Sequence, residues 1–184
     1  MSSSPPSLQQ IAKTFRLAGW SSLWVQGILG VVSAGILLFA GSVVTPTPRT
    51  SEPGTGIGAA FTTLSIVILF IATYWSFRYV VTGKQLVASA TVRPKKSETI
   101  QLLRLGLTIS LAGMLIALVG AQAIVGALAA KAFSQGIGNP IALGDQSRFV
   151  QPLDILVVQA SINVILGQFA GIAAALWLLN RMNR

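Results

Sequence analysis

Apolar positions in this chain run together in long uncharged stretches, and polar positions gather in the short segments between them. Between successive charges lie Leu17 to Pro48, Pro53 to Phe77, Leu105 to Ala130 and Ile155 to Asn180, which are 32, 25, 26 and 26 residues long. A helix needs roughly 20 apolar residues to cross a hydrocarbon layer about 30 Å thick. Each stretch is long enough. The pattern predicts an all-α, integral membrane four-transmembrane-helix bundle, a single membrane domain over residues 1–184 with spans near 20–44, 57–81, 103–130 and 154–179. A β-barrel would instead show segments of about ten residues alternating apolar and polar. No such alternation occurs, and runs such as Leu64 to Ala72 are apolar without a break.

The segments flanking the spans carry their own signals. Ser7-Leu8-Gln9-Gln10 matches a capping box, so a helix is expected to open there. Leu8, Ile11, Ala12 and Phe15 follow helical spacing, with Gln9, Lys13 and Arg16 on the other side. This is the pattern of a short amphipathic N-terminal helix resting on an anionic surface before the chain dips at Gly19-Trp20; the alternative is a plain extension of the first span. The first outer connection, 45–55, holds Pro46, Pro48, Pro53 and Gly54 and must turn. Gly54-Thr55-Gly56-Ile57-Gly58-Ala59 formally matches a dinucleotide fingerprint. That motif works only after a strand in a βαβ unit, whereas here it follows proline and opens a span. In the loop 83–100, Ser97 and Glu98 are expected to cap the third helix. The outer connection 131–152 is rich in glycine and proline.

Charge adds orientation. The net charge of +9 divides into +2 on the N-terminal segment, +5 on the second connection and +2 at the C-terminus, while both other connections are neutral. One-sided excess of this kind predicts that both termini and the loop 83–100 lie on the cytoplasmic side. It also accounts for the basicity without nucleic acid as a partner. Trp20, Trp24, Tyr74, Trp75, Tyr79 and Trp177 fall near the same ends and read as an interfacial belt. Arg93, Lys95 and Lys96 form a basic cluster suited to lipid headgroups or a partner. The first apolar run starts only after Arg16 and is of span length, so it is expected to be a retained helix and not a cleaved signal.

Inside the spans, small and polar residues stand out. Gly106, Gly113, Gly120 and Ala127 recur every seven residues in the third span, and Gly167 and Gly171 make a Gly-x-x-x-Gly step in the fourth. Helices in lipid associate by close packing of small residues, so both rows are expected packing seams. In the fourth span, Gln159 and Asn163 share one face, and Asp154, Ser161 and Gln168 recur on roughly the opposite one. With Gln122 of the third span they are candidates for a polar path; interhelical hydrogen bonding is the alternative use of such groups.

Catalysis finds little to work with. The carboxylates are Glu52, Glu98, Asp145 and Asp154, and histidine and cysteine are absent. General acid–base and nucleophilic constellations are missing, so no enzyme and no cofactor is expected. Asp145 and Asp154 form a candidate weak site for a hard cation if the fold brings them together.

Val31-Val32-Ser33-Ala34, Trp75-Ser76-Phe77, Gly120-Ala121-Gln122-Ala123 with Val125-Gly126, and Leu153-Asp154 with Val158-Gln159-Ala160-Ser161 and Asn163 together carry a family likeness. From about Leu8 to Leu179 the chain resembles the small four-helix proteins of the chloroplast inner envelope, called both translocon component and permease in chloroplasts, and their cyanobacterial relatives. No long serine- and arginine-rich leader is present, so the likeness is to the bacterial form. It implies a cyanobacterial-type plasma (inner) membrane or thylakoid location. The implied functions are permeation or homeostasis of iron or another small cation and, alternatively, a non-enzymatic subunit of a protein-import translocon. The expected partners are accordingly the lipid bilayer, iron or a related cation, translocon or other membrane subunits, and a second copy of the chain.

Overall fold

The computed structural model describes residues 6–43, 55–88, 93–136 and 152–183. Four helices make up nearly all of them: α1 (Pro6–Val43), α2 (Thr55–Gln85), α3 (Lys96–Gly136) and α4 (Pro152–Asn183). Each contains a window of mean hydropathy between 1.9 and 2.2 and is long enough to cross a bilayer, so the chain is an integral membrane protein. α1 packs on α2 and α4, α3 packs on the same two, and α2 and α4 also meet across the centre. The buried share of the apolar window is 50% in α4 and 33% in α2, against 22% in α1 and α3. α2 and α4 therefore form the short diagonal, and α1 and α3 turn most of their apolar surface outward. Leu38, Phe133 and Leu115 on those outer faces are exposed, which lipid favours and water would penalise.

α1 corrects one expectation. No separate amphipathic helix precedes the first span; one uninterrupted helix of 38 residues, about 57 Å long, begins at Pro6 and passes through Gly19-Trp20 without a break. Proline at the first helical position suits a start there, since its missing N–H would have no partner in any case. The reason for continuity is tertiary. Ala12, Phe15 and Ala18 are buried in a cluster with Tyr79, Leu86, Leu103, Leu178 and Met182 from the other three helices. Gly83 of α2 lies against Phe15 and the Ala12 carbonyl, so the apolar face that was expected to rest on lipid is covered by protein. Arg181 Nη2 donates to Gln10 Oε1 at 3.4 Å, which places the two ends of the chain at one end of the bundle.

At the start of α3 the backbone N–H of Lys95 donates to Glu98 Oε2 at 3.3 Å. Glu98 thus reaches back as one arm of a capping box, with Lys95 and not Ser97 in the cap position. The aromatic belt is also incomplete. Trp20, Trp24, Tyr74 and Trp177 are exposed, with Trp20 and Trp24 stacked, but Tyr79 is buried and Trp75 half-buried, both against Gly106.

The glycine row of α3 faces α2. A methyl group at Gly106 would strike Tyr79 and Trp75, one at Gly113 would strike Ile68 and Gln168, and one at Gly120 would come within 2.9 Å of Phe61 Cβ and 3.3 Å of the Gly58 carbonyl. Gly58 is the reciprocal position, 3.1 Å from the Gly120 carbonyl by the same measure. The two backbones meet there with nothing between them. Gly167 of α4 receives Leu69. Replacing Gly120 by leucine is expected to overpack this crossing and lower stability by about 1–3 kcal/mol. Gly126→Leu, at a position with open space, is expected to be neutral. Thermal unfolding of the two variants in detergent checks the difference.

Candidate functional site

Polar side chains enter the bundle interior in two layers. The layer nearer the chain ends is built from all four helices. Ser22 Oγ of α1 lies 3.0 Å from Ser76 Oγ of α2. Ser76 Oγ in turn donates to Gln26 Oε1 at 2.8 Å. Because Ser76 has one proton and gives it to Gln26, Ser22 must be the donor to Ser76, and the three groups form a directed chain in which each bond polarises the next. Gln168 of α4 is fully buried, and so is Gln26. Glycines make room for both amides. Gln168 fills the space a side chain at Gly113 would take, and Gln26 and Ser110 fill the space beside Gly171. Among the described residues, the Gln26 amide nitrogen and both ends of the Gln168 amide have no hydrogen-bond partner.

The second layer lies about two to four turns further from the chain ends. Ser33 Oγ of α1 donates to the Ala160 carbonyl of α4 at 3.1 Å. Thr62 Oγ1 of α2 sits 3.1 Å from Ser161 Oγ of α4. The two hydroxyls are also placed against their own helix carbonyls, Gly58 at 2.9 Å and Val157 at 3.1 Å. Two protons serve three contacts, so either hydroxyl can donate across the interface while the other stays on its own helix. Bonds of this kind between helices in lipid contribute on the order of 0.6 kcal/mol each and set register.

The candidate polar path is divided by this arrangement. Ser161 and Gln168 are fully buried, and Asp154, in the first turn of α4, is half-buried. Asn163 is buried and accepts from Gln159 Nε2 at 3.1 Å, but Gln159 itself is exposed. Gln122 is exposed on α3, so it does not share an enclosed space with the α4 residues. Asp145 lies outside the described residues. Among those residues no group of three or more acidic, histidine or cysteine side chains is placed to hold a metal. Arg93 is half-buried, and Lys95, just before α3, and Lys96, its first residue, are exposed.

The α1 and α2 contributions to these layers lie outside the candidate set read from the sequence. Ser22, Gln26 and Ser33 are spaced by four and seven, and Thr62, Ser65 and Ser76 by three and eleven, which are same-face helical intervals. Those intervals were the available signal. A Ser or Thr hydroxyl in an apolar run can bond a carbonyl of its own helix, so unlike an amide it does not by itself call for a partner across the bundle.

These features define a polytopic membrane protein whose four spans lock through glycine seams around two polar layers. The chain belongs to the DUF3611 family, described as a protein of unknown function, whose model matches residues 5–183. Among curated proteins it is 32% identical over 177 residues to Protein TIC 21, chloroplastic, of Arabidopsis thaliana, an alignment that covers 94% of this chain and 57% of the relative. The family match and this similarity to a chloroplast protein bear out the chloroplast likeness read from the residues. The chain thus spans somewhat more than half the length of that relative. No solved structure matches.

Ser76→Ala removes the donor to Gln26 and leaves a buried amide oxygen unpaired, with an expected loss of about 1–3 kcal/mol. Thr62→Val keeps shape and deletes one flexible bond, so its expected loss is nearer 0.6 kcal/mol. Equilibrium unfolding in mixed micelles measures both, and equal losses would show that the first layer is not a connected chain.

Proposed function

We propose that this protein is a non-enzymatic subunit that associates with, or helps assemble, protein-translocation machinery in its membrane. The single observation that carries the reading is the similarity to Protein TIC 21, chloroplastic, which runs over 94% of the chain. The translocon role implied by the inner-envelope likeness comes to this chain with it. The packing supports the same reading. A stable bundle with a partner-facing surface needs no conduit, and the described interior is closed by side chains lodged against Gly106, Gly113, Gly120 and Gly171. The positive-inside pattern supports a cytoplasmic position for the termini and for Arg93, Lys95 and Lys96, which would then offer the contact surface on that side. A cyanobacterial-type inner membrane is the reading of location, with thylakoid as its variant.

Permeation of iron or another small cation is the second reading, and the unpartnered Gln26 amide nitrogen and Gln168 amide are the observation that favours it. Its weakness is chemical. Both polar layers consist of neutral amides and hydroxyls, whereas hard cations are normally held by carboxylates.

One comparison separates the two. Full-length protein crosslinked in its native membrane is expected to capture a protein-translocation subunit. That capture should fall at least several-fold in Lys95→Glu/Lys96→Glu and persist in Asp154→Asn, Gln159→Leu and Asn163→Leu. Purified protein in liposomes is expected to give no saturable iron uptake. Saturable uptake that Asp154→Asn abolishes would replace the subunit reading with a permease.

A further inference from the structure

A groove of about 420 Å³ runs along the α1–α4 seam on the outside of the bundle, between Ala18, Ser21 and Val25 of α1 and Ala170, Ala173 and Trp177 of α4. It falls within the range of about 300–1,000 Å³ common for small-molecule sites. Alanines form its floor, with Ala18 and Ala174 buried, so the depth comes from small side chains where the helices meet. Its walls are apolar apart from two serine hydroxyls that are already engaged, Ser21 with the Ala18 carbonyl and Ser22 with Ser76. The groove therefore asks for hydrocarbon.

Its end toward the chain termini asks for something else. Arg181 is one turn beyond Trp177 on the same face of α4, and its guanidinium crosses the seam to Gln10 of α1. Gln10 is a neutral partner, so the charge of Arg181 is not compensated by it. Lys13 and Arg16 of α1 are exposed on the other side of that helix, Arg16 beside Gly83 of α2, and do not face the groove. α1 has no carboxylate at all, and the one carboxylate of α4, Asp154, lies at the opposite end of that helix. Arg181 thus stands, with no acid at this end of either flanking helix, at the end of a hydrocarbon slot that opens sideways. Exposed Trp177, one turn from Arg181, marks the mouth of the groove as the headgroup boundary.

We propose that the α1–α4 groove is a site for one anionic phospholipid, with an acyl chain lying between Val25 and Ala170 and the headgroup phosphate held by Arg181. Charge complementarity selects the occupant. A zwitterionic lipid would fill the same slot but bring its own cation to Arg181. The site is separate from the loop cluster at Arg93, Lys95 and Lys96, and it does not depend on whether the protein serves a translocon or a cation.

The test uses the full chain in phosphatidylcholine vesicles that contain either phosphatidylglycerol or phosphatidylcholine brominated on one acyl chain. Quenching of Trp177 is read as the difference between the wild type and Trp177→Phe. Brominated phosphatidylglycerol is expected to reach half-maximal quenching at about one fifth of the mole fraction that phosphatidylcholine needs, the advantage of roughly one basic residue at an anionic surface. Arg181→Gln should bring the two lipids together, and Arg181→Lys should keep most of the difference. Ala173→Phe, which fills the groove and changes no charge, should weaken quenching by both. Equal quenching by the two lipids in the wild type overturns the proposal. So does a phosphatidylglycerol preference that survives Arg181→Gln, or quenching untouched by Ala173→Phe. Native mass spectrometry of the wild type released from mixed micelles is the second measurement. Retained phosphatidylglycerol supports the site, and equal retention of the two lipids rejects it.

Discussion

Helices in a bilayer gain nothing by hiding apolar surface from one another, because lipid is as apolar as leucine, so they hold together only where their backbones can approach closely. In this bundle that approach is made at Gly58 and Gly120, where α2 and α3 touch carbonyl to backbone, and at Gly19 and Gly83, where α1 and α2 do the same. Much else follows from these crossings. They draw α2 toward α3 and α1, and they leave the large residues of α1 and α3 to face lipid. They also fix which positions on each helix point inward, and so which polar groups must find partners inside.

Polar groups that enter such an interior cannot turn to water, and an amide buried without a partner is costly. The chain meets this with hydroxyls that reach either across an interface or back to their own helix, as Thr62 and Ser161 do. Gln26 and Gln168 are treated differently. Each lies in a recess opened by a glycine of a neighbouring helix, the Gln26 amide bonded through its oxygen alone and the Gln168 amide at neither end. Glycine therefore has two roles here: close contact between backbones at Gly58 and Gly120, and accommodation of a long side chain at Gly113 and Gly171.

The end of the bundle that carries both termini is built differently from the middle. There α1 continues as one helix, its Ala12 and Phe15 covered by α2, α3 and α4, while its charged positions look outward. Basic side chains of α1, α2, α3 and α4 and the loop before α3 gather at this end, over a level marked by exposed tryptophans. A surface of that kind suits anionic headgroups and acidic partner segments. It links the translocon-type reading and the lipid site through one physical cause, the concentration of positive charge on one side of the membrane.

Apolar run length, the spacing of proline and glycine and the one-sided charge determined the number of spans, the helical class and the expected orientation, because those depend on the solvent alone and can be read one segment at a time. The glycine row of α3 was legible for the same reason, being a periodicity within one helix. Which helix it meets was not, and neither was the pairing of Ser76 with Gln26 or of Thr62 with Ser161, because a partner 50 or 99 positions away has no local signature. The amphipathic start of α1 shows the limit most clearly. Leu8, Ile11, Ala12 and Phe15 present an apolar face that suits a membrane surface and a neighbouring helix equally well. Only the arrival of Gly83, Leu103 and Leu178 on that face decided between them, since a hydrophobic stripe specifies that it will be covered and not by what.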